Sequence, residues 1–230
     1  MILKALWNAA FNPGKPLIDR RLPQFESTPA AVPYTLTDGQ QSHYPQLVAP
    51  SLGTPITFPS RGSSYKRGVG DMWVAIHVEA LRLPCFHDNL SLSVAGHRFE
   101  PDLAYIDAER GIFIDIEVDE PYTMGRCVPT HPIGSDDHRN QLFTQAGWTV
   151  LRFSEKQCIV TPKSVLRTVL DVVCQMNKSV EMPKALADIS PVEPDLRWNY
   201  DSAKQLARLR YRDPYLEHYV PLYKFFNQFY

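Results

Sequence analysis

Ile112-Phe113-Ile114-Asp115-Ile116-Glu117-Val118-Asp119 is an alternating run that only a β-strand can satisfy. Successive side chains on a strand point to opposite faces, whereas a helix would scatter both sets. Asp115, Glu117 and Asp119 therefore share one face, and the aliphatic residues take the other. Three carboxylates in line repel one another. Burying them without a counter-charge costs several kcal/mol or forces protonation. A divalent cation relieves that cost, because hard cations such as Mg²⁺ take oxygen ligands. The strand predicts an aliphatic face buried against helices, through Trp73 and Ile76 or Val165 and Val169. It also predicts a carboxylate face that opens into a cleft at its C-terminal end.

The segment before it supplies a fourth carboxylate. Leu90 to Val94 and His97 to Ile106 suggest an antiparallel pair across Ala95-Gly96, and Ala108 to Gly111 turns the chain into the acidic strand. Pro101-Asp102 lies in this stretch, with 14 residues between Asp102 and Glu117. Apolar residues at helical spacing (Met72, Trp73, Ile76, Ala80, Leu83) predict a helix over about 64–83, ended by Pro84. Glu79 lies on its edge. After the acidic strand, a loop with Pro121, Gly125, Pro129, Pro132 and Gly134 leaves where an active-site loop is expected. Asp136 or Asp137 can cap a following helix that Gly147 ends. Trp148 to Phe153 reads as a strand. Thr161-Pro162 opens a helix with an apolar face of Val165, Leu166, Val169, Val172 and Val173.

This order resembles the PD-(D/E)xK nucleases. Pro101-Asp102 matches the first half of their pattern and Glu117-Val118-Asp119 the second, with Asp119 in place of the usual Lys. The branch related to the very-short-patch repair endonucleases and their uncharacterised bacterial relatives is similar in this respect. It also matches Glu79 on the preceding helix, the acidic-Arg helix at Asp137-His138-Arg139, and the strand Gly147-Trp148-Thr149-Val150-Leu151-Arg152-Phe153. The similarity covers about residues 64–175.

The resemblance implies an α/β fold, a restriction-endonuclease-like mixed sheet flanked by helices. It implies a metal-dependent endonuclease acting on phosphodiester bonds in DNA, with RNA open on the same chemistry, and a setting such as a defence or mobile-element system. Asp102, Glu117 and Asp119 would ligate Mg²⁺, with Mn²⁺ as substitute, and Glu79 would act directly or through water. Arg152, and after it Lys156, would supply the charge that the missing Lys would have given. His131 and His138 follow the acidic strand but lack the branch's local histidine motif, so a structural or surface role is expected of them. The alternative is a non-catalytic DNA-binding or scaffold subunit with a degenerate nuclease fold.

Composition sets further bounds. The 230 residues, 44% hydrophobic and 21% charged, suit a globular core. Residues 1–63 read as a loop-rich extension packed on a core at 64–178, and 179–230 as a helical and aromatic extension. The last stretch, with Tyr215, Tyr219, Tyr223, Phe225, Phe226 and Phe229 before Tyr230, is read as a docked tail. The other reading is a homodimer or protein-partner surface. A net charge of −1 gives no overall attraction to DNA, leaving that task to local basic clusters such as Lys204, Arg208, Arg210 and Arg212. Four cysteines without a CxxC pair argue against structural zinc and for reduced thiols. There is no apolar run long enough for a transmembrane helix, and Met1–Trp7 lacks a signal-like segment, so a cytoplasmic protein is expected. No phosphate loop, nucleophile elbow or His-rich metal motif points to an NTPase, serine hydrolase or zinc peptidase.

Overall fold

The computed structural model describes residues 18, 21–23, 30, 42–62 and 68–220. Its centre is a mixed sheet of five strands in the order β2 (Gln46–Val48), β9 (Thr149–Ser154), β8 (Ile112–Asp119), β7 (Leu103–Asp107) and β4 (Phe86–His87). β8 is the acidic strand, with the predicted bounds. It pairs antiparallel with β7 through the Ala108–Gly111 turn, and parallel with β9. Parallel neighbours need a crossover; the loop after β8 and helix α2 (Asp137–Gln145) provide it.

Two helices bury the aliphatic face. Ile112, Ile114, Ile116 and Val118 share a core with Val74, Ala75 and Val78 of α1 (Val69–Leu81) and with Val165, Leu166 and Val169 of α4 (Pro162–Met176). Val165 and Val169 stand where expected. Trp73 and Ile76 do not: they face away from the sheet, into a second cluster with Ile159, Tyr215 and Leu216. Because α1 is apolar on both sides, its sequence could not say which stripe meets the sheet. Its N-terminal end fits tightly on the end of β8, where a Cβ on Gly70 would lie 2.6 Å from Val118 Cγ1.

The other face carries Phe113, which packs with Leu90, Leu92, Ile106, Phe143 and Trp148. Leu90 and Leu92 belong to β5 (Leu90–Val94), which with β3 (Ser60–Arg61) and β6 (His97–Phe99) forms a small separate sheet. The single strand expected over 97–106 is therefore two, β6 and β7. The break falls at Pro101, which has no N–H to give a ladder.

β2, from the expected N-terminal extension, is an edge of the central sheet, and β1 (His43–Tyr44) pairs with β10 (Asp195–Leu196) from the C-terminal one. Beyond α3 (Glu155–Val160) and α5 (Lys184–Ala187) come α6 (Tyr200–Arg208) and α7 (Asp213–Tyr219). Arg212 is buried, with Nε 2.7 Å and Nη2 2.6 Å from the Glu155 carboxylate, and Tyr215 donates to the same group at 2.7 Å. Tyr215 is thus a docked residue, while Tyr223 to Tyr230 and residues 1–17 lie outside the described residues. No described helix is long and apolar enough to cross a membrane.

Candidate active site

Sheet register puts the acidic residues in rows. Leu103 pairs with Ile116, so Asp102 stands opposite Glu117; Glu117 in turn pairs with Arg152 of β9. Directly opposed residues share a face. One row thus reads Asp102, Glu117, Arg152, with Asp115 and Asp119 before and after Glu117 on the same side. Within it, the Asp102 N–H donates to Glu117 Oε1 at 3.4 Å, and the Val118 N–H donates to Asp102 Oδ2 at 2.9 Å.

This face is covered rather than open. Asp115, Glu117 and Asp119 are 0%, 2% and 1% exposed. The lid consists of Arg139 and Asn140 from α2 and His131 from the preceding loop. Arg139 Nη2 lies 2.5 Å from Glu117 Oε1, and its guanidinium sits 5.8 Å and 5.3 Å from the ring centres of Phe99 and Phe143. The expected cleft is therefore a cation-capped cluster. Its partly exposed members are Asp102, Glu120, His131, Asp136 and Arg139.

Arg152 is fully buried and holds Asp119 by two bonds, Nε to Oδ2 at 3.0 Å and Nη2 to Oδ1 at 2.6 Å. Nη1 donates to Asn140 Oδ1 at 3.1 Å. Tyr44 adds a third bond to Asp119, from its hydroxyl to Oδ2 at 2.9 Å. Both Asp119 oxygens are thus engaged by cation and phenol. Arg152 is buried in this pair and does not stand at the surface of the cluster. Lys156 is not there either: its ammonium lies over the Tyr211 ring at 5.6 Å.

Glu79 lies on α1, the helix that packs on the aliphatic face of the sheet. Nine residues separate it from Gly70, the point of contact with Val118, which is about 13 Å of helix.

His131, by contrast, is a member. Nδ1 lies 3.1 Å from Asp136 Oδ2 and 3.5 Å from Asp119 Oδ1. Desolvation lowers its pKa, but Asp119, the bond to Asp136 and Glu120 outweigh that and raise it to about 9. At neutral pH Nδ1 therefore donates to Asp136. The loop holds His131 at φ +48, uncommon for a residue with a Cβ. Trp198 braces it by donating to the Thr130 carbonyl at 2.8 Å, and also packs on Tyr44 with ring centres 5.3 Å apart.

Asp119, His131 and Asp136 place three potential metal-ligand atoms within 4.8 Å of one another. The Arg152 guanidinium already stands there, 2.6 Å from Asp119 and 3.7 Å from Asp136. A divalent cation would meet it and an imidazolium, so this trio is a neutralised ion network.

Asp115 is different. Both its oxygens are buried without a hydrogen-bond partner of good geometry. Burial, then the charge of Glu117, push its pKa well up, and Glu117 is close enough to share the resulting proton. Asp102 is raised to about 7, by burial and then by Glu117. Asp102, Asp115 and Glu117 offer oxygen donors of the kind a hard cation takes, although among the described residues the trio whose potential ligand atoms lie within 4.8 Å of one another is Asp119, His131 and Asp136.

Comparison with protein-family models, curated proteins and solved structures gives no match.

Proposed function

We propose that this chain is a metal-dependent endonuclease, of restriction-endonuclease-like fold, that hydrolyses phosphodiester bonds in DNA. The observation that carries the reading is Asp115. A fully buried carboxyl with no N–H donor or bonded cation, and only Glu117 beside it to share a proton, costs free energy unless it has a task, and a cation between it, Glu117 and Asp102 supplies one. These three residues would hold Mg²⁺ or Mn²⁺. When bound, the cation makes a water nucleophilic at neutral pH and offsets charge on the phosphoryl oxygens.

The chain's own groups prepare the site. The Val118 N–H fixes the Asp102 carboxylate, and the Asp102 N–H fixes Glu117. Arg152 acts as a positioning residue, tying Asp119 and Asn140 together beside Glu117. His131 holds a proton at Nδ1 against Asp136. Burial of the cluster excludes water and so strengthens each of these interactions.

One observation favours a second reading. Arg139 closes directly on Glu117, as a permanent counter-ion would in a degenerate nuclease fold serving as a DNA-binding or scaffold subunit.

Incubation with plasmid and short duplexes in Mg²⁺, Mn²⁺ and EDTA separates the two. Cutting with either metal, lost in EDTA and in Asp102→Ala, supports the nuclease. Undiminished cutting in EDTA contradicts it, and no cutting under any condition transfers the assignment to the scaffold.

A further inference from the structure

The two guanidiniums of the site are held very differently. Arg152 is fully buried and donates from Nε, Nη1 and Nη2. The hydrogen bonds of Arg139 leave from Nη2 alone, to Glu117 Oε1 at 2.5 Å and to the Glu100 carbonyl at 3.3 Å. Its Nε is buried without a partner. Its side chain is 24% exposed. Arg152 is locked into the sheet, whereas Arg139 reaches in from α2 between two aromatic rings and is gripped at one nitrogen.

Arg139 also occupies the oxygen that a metal needs. A guanidinium and a divalent cation cannot both sit on Glu117 Oε1 without strong mutual repulsion. Asp115 lies fully buried beside Glu117, with neither oxygen bonded to Arg139. The faces of Phe99 and Phe143 remain a favourable seat for the charge once Glu117 is given up. From there, the planar fork is suited to a phosphate, which it can bind with two parallel hydrogen bonds.

We propose that Arg139 changes partners when the metal loads: it leaves Glu117 and becomes the group that binds the phosphate backbone of the nucleic acid. This rests on the metal-site reading above. Arg139 and the metal then compete for the empty protein, while Arg139 and the substrate act together.

The test is Mn²⁺ binding by calorimetry to the full chain, wild type and Arg139→Gln. Duplex binding is followed alongside, with Ca²⁺ replacing Mg²⁺ to hold back cleavage. The variant is expected to bind Mn²⁺ about tenfold more tightly and the duplex about tenfold more weakly, effects of opposite sign. Equal Mn²⁺ affinity in the two proteins, with binding lost in Glu117→Gln, overturns the exchange and leaves the metal site standing. Absence of Mn²⁺ binding in both overturns the exchange and the metal site together. Should Arg139→Gln fail to fold, the wild-type chain gives a second readout, the Arg139 Nε–H resonance, assigned with Arg139→Lys. It should shift and exchange faster with water on saturation with Mg²⁺; an unmoved resonance at saturation overturns the proposal.

Discussion

Asp119 and Arg152 form a two-pronged ion pair, Oδ2 to Nε at 3.0 Å and Oδ1 to Nη2 at 2.6 Å, closed off from solvent on both sides. This carboxylate therefore does not add to the net negative charge of the cluster. It brings its own cation from the neighbouring strand.

That pairing decides what happens when Asp119 is neutralised. From sequence, Asp119→Asn should relieve repulsion and leave stability intact. With Arg152 buried against it, the same change strands a guanidinium in the interior, which costs about 3–5 kcal/mol. Urea unfolding should show a loss of that order without metal present. A variant as stable as wild type would show that Arg152 finds another partner.

His131 makes stability depend on pH. Its folded pKa is raised to about 9, above the unfolded value near 6.5. The charged form is thus favoured by folding, so its contribution is present in full below pH 6.5 and is lost as pH rises through 9. The stability difference between wild type and His131→Gln should be largest near pH 6 and shrink by pH 9.5. A difference independent of pH would mean that the imidazole is held by packing alone.

Arg212 links the C-terminal helices to the sheet. Arg212→Ala leaves Glu155 buried without its cation and the Tyr122 carbonyl without its donor. The expected loss is again about 3–5 kcal/mol. Thermal unfolding should remain a single transition, since Trp198 and Tyr44 tie both ends of the chain into the same site. Two separated transitions would instead indicate an independent C-terminal unit.

What the sequence could disclose followed the range of each signal. β8 was legible to the residue because strict alternation over eight positions is local information. α2, β9 and α4 were legible from caps, a terminal glycine and an apolar stripe. Tyr44 and β2 were not, because a three-residue strand has no period, and its partner lies about a hundred residues away in the chain. The different surroundings of two acids of one strand were hidden as well. Asp115 and Asp119 look alike along β8, and only the register with β9, which sets Arg152 beside Glu117 and within reach of Asp119, separates them. His131 lay in a loop marked by its position after the acidic strand, but loop sequence carries no geometry. For Glu79, periodicity gives a face of the helix and not the direction in which the helix runs.

The proposed activity depends on a divalent cation between Asp102, Asp115 and Glu117. Crystals soaked in Mn²⁺ and measured at its absorption edge test it most directly. The expected result is an anomalous peak among those three carboxylates, absent in Asp115→Asn. A peak at Asp119, His131 and Asp136 instead, or no peak at all in well-ordered crystals, would contradict it.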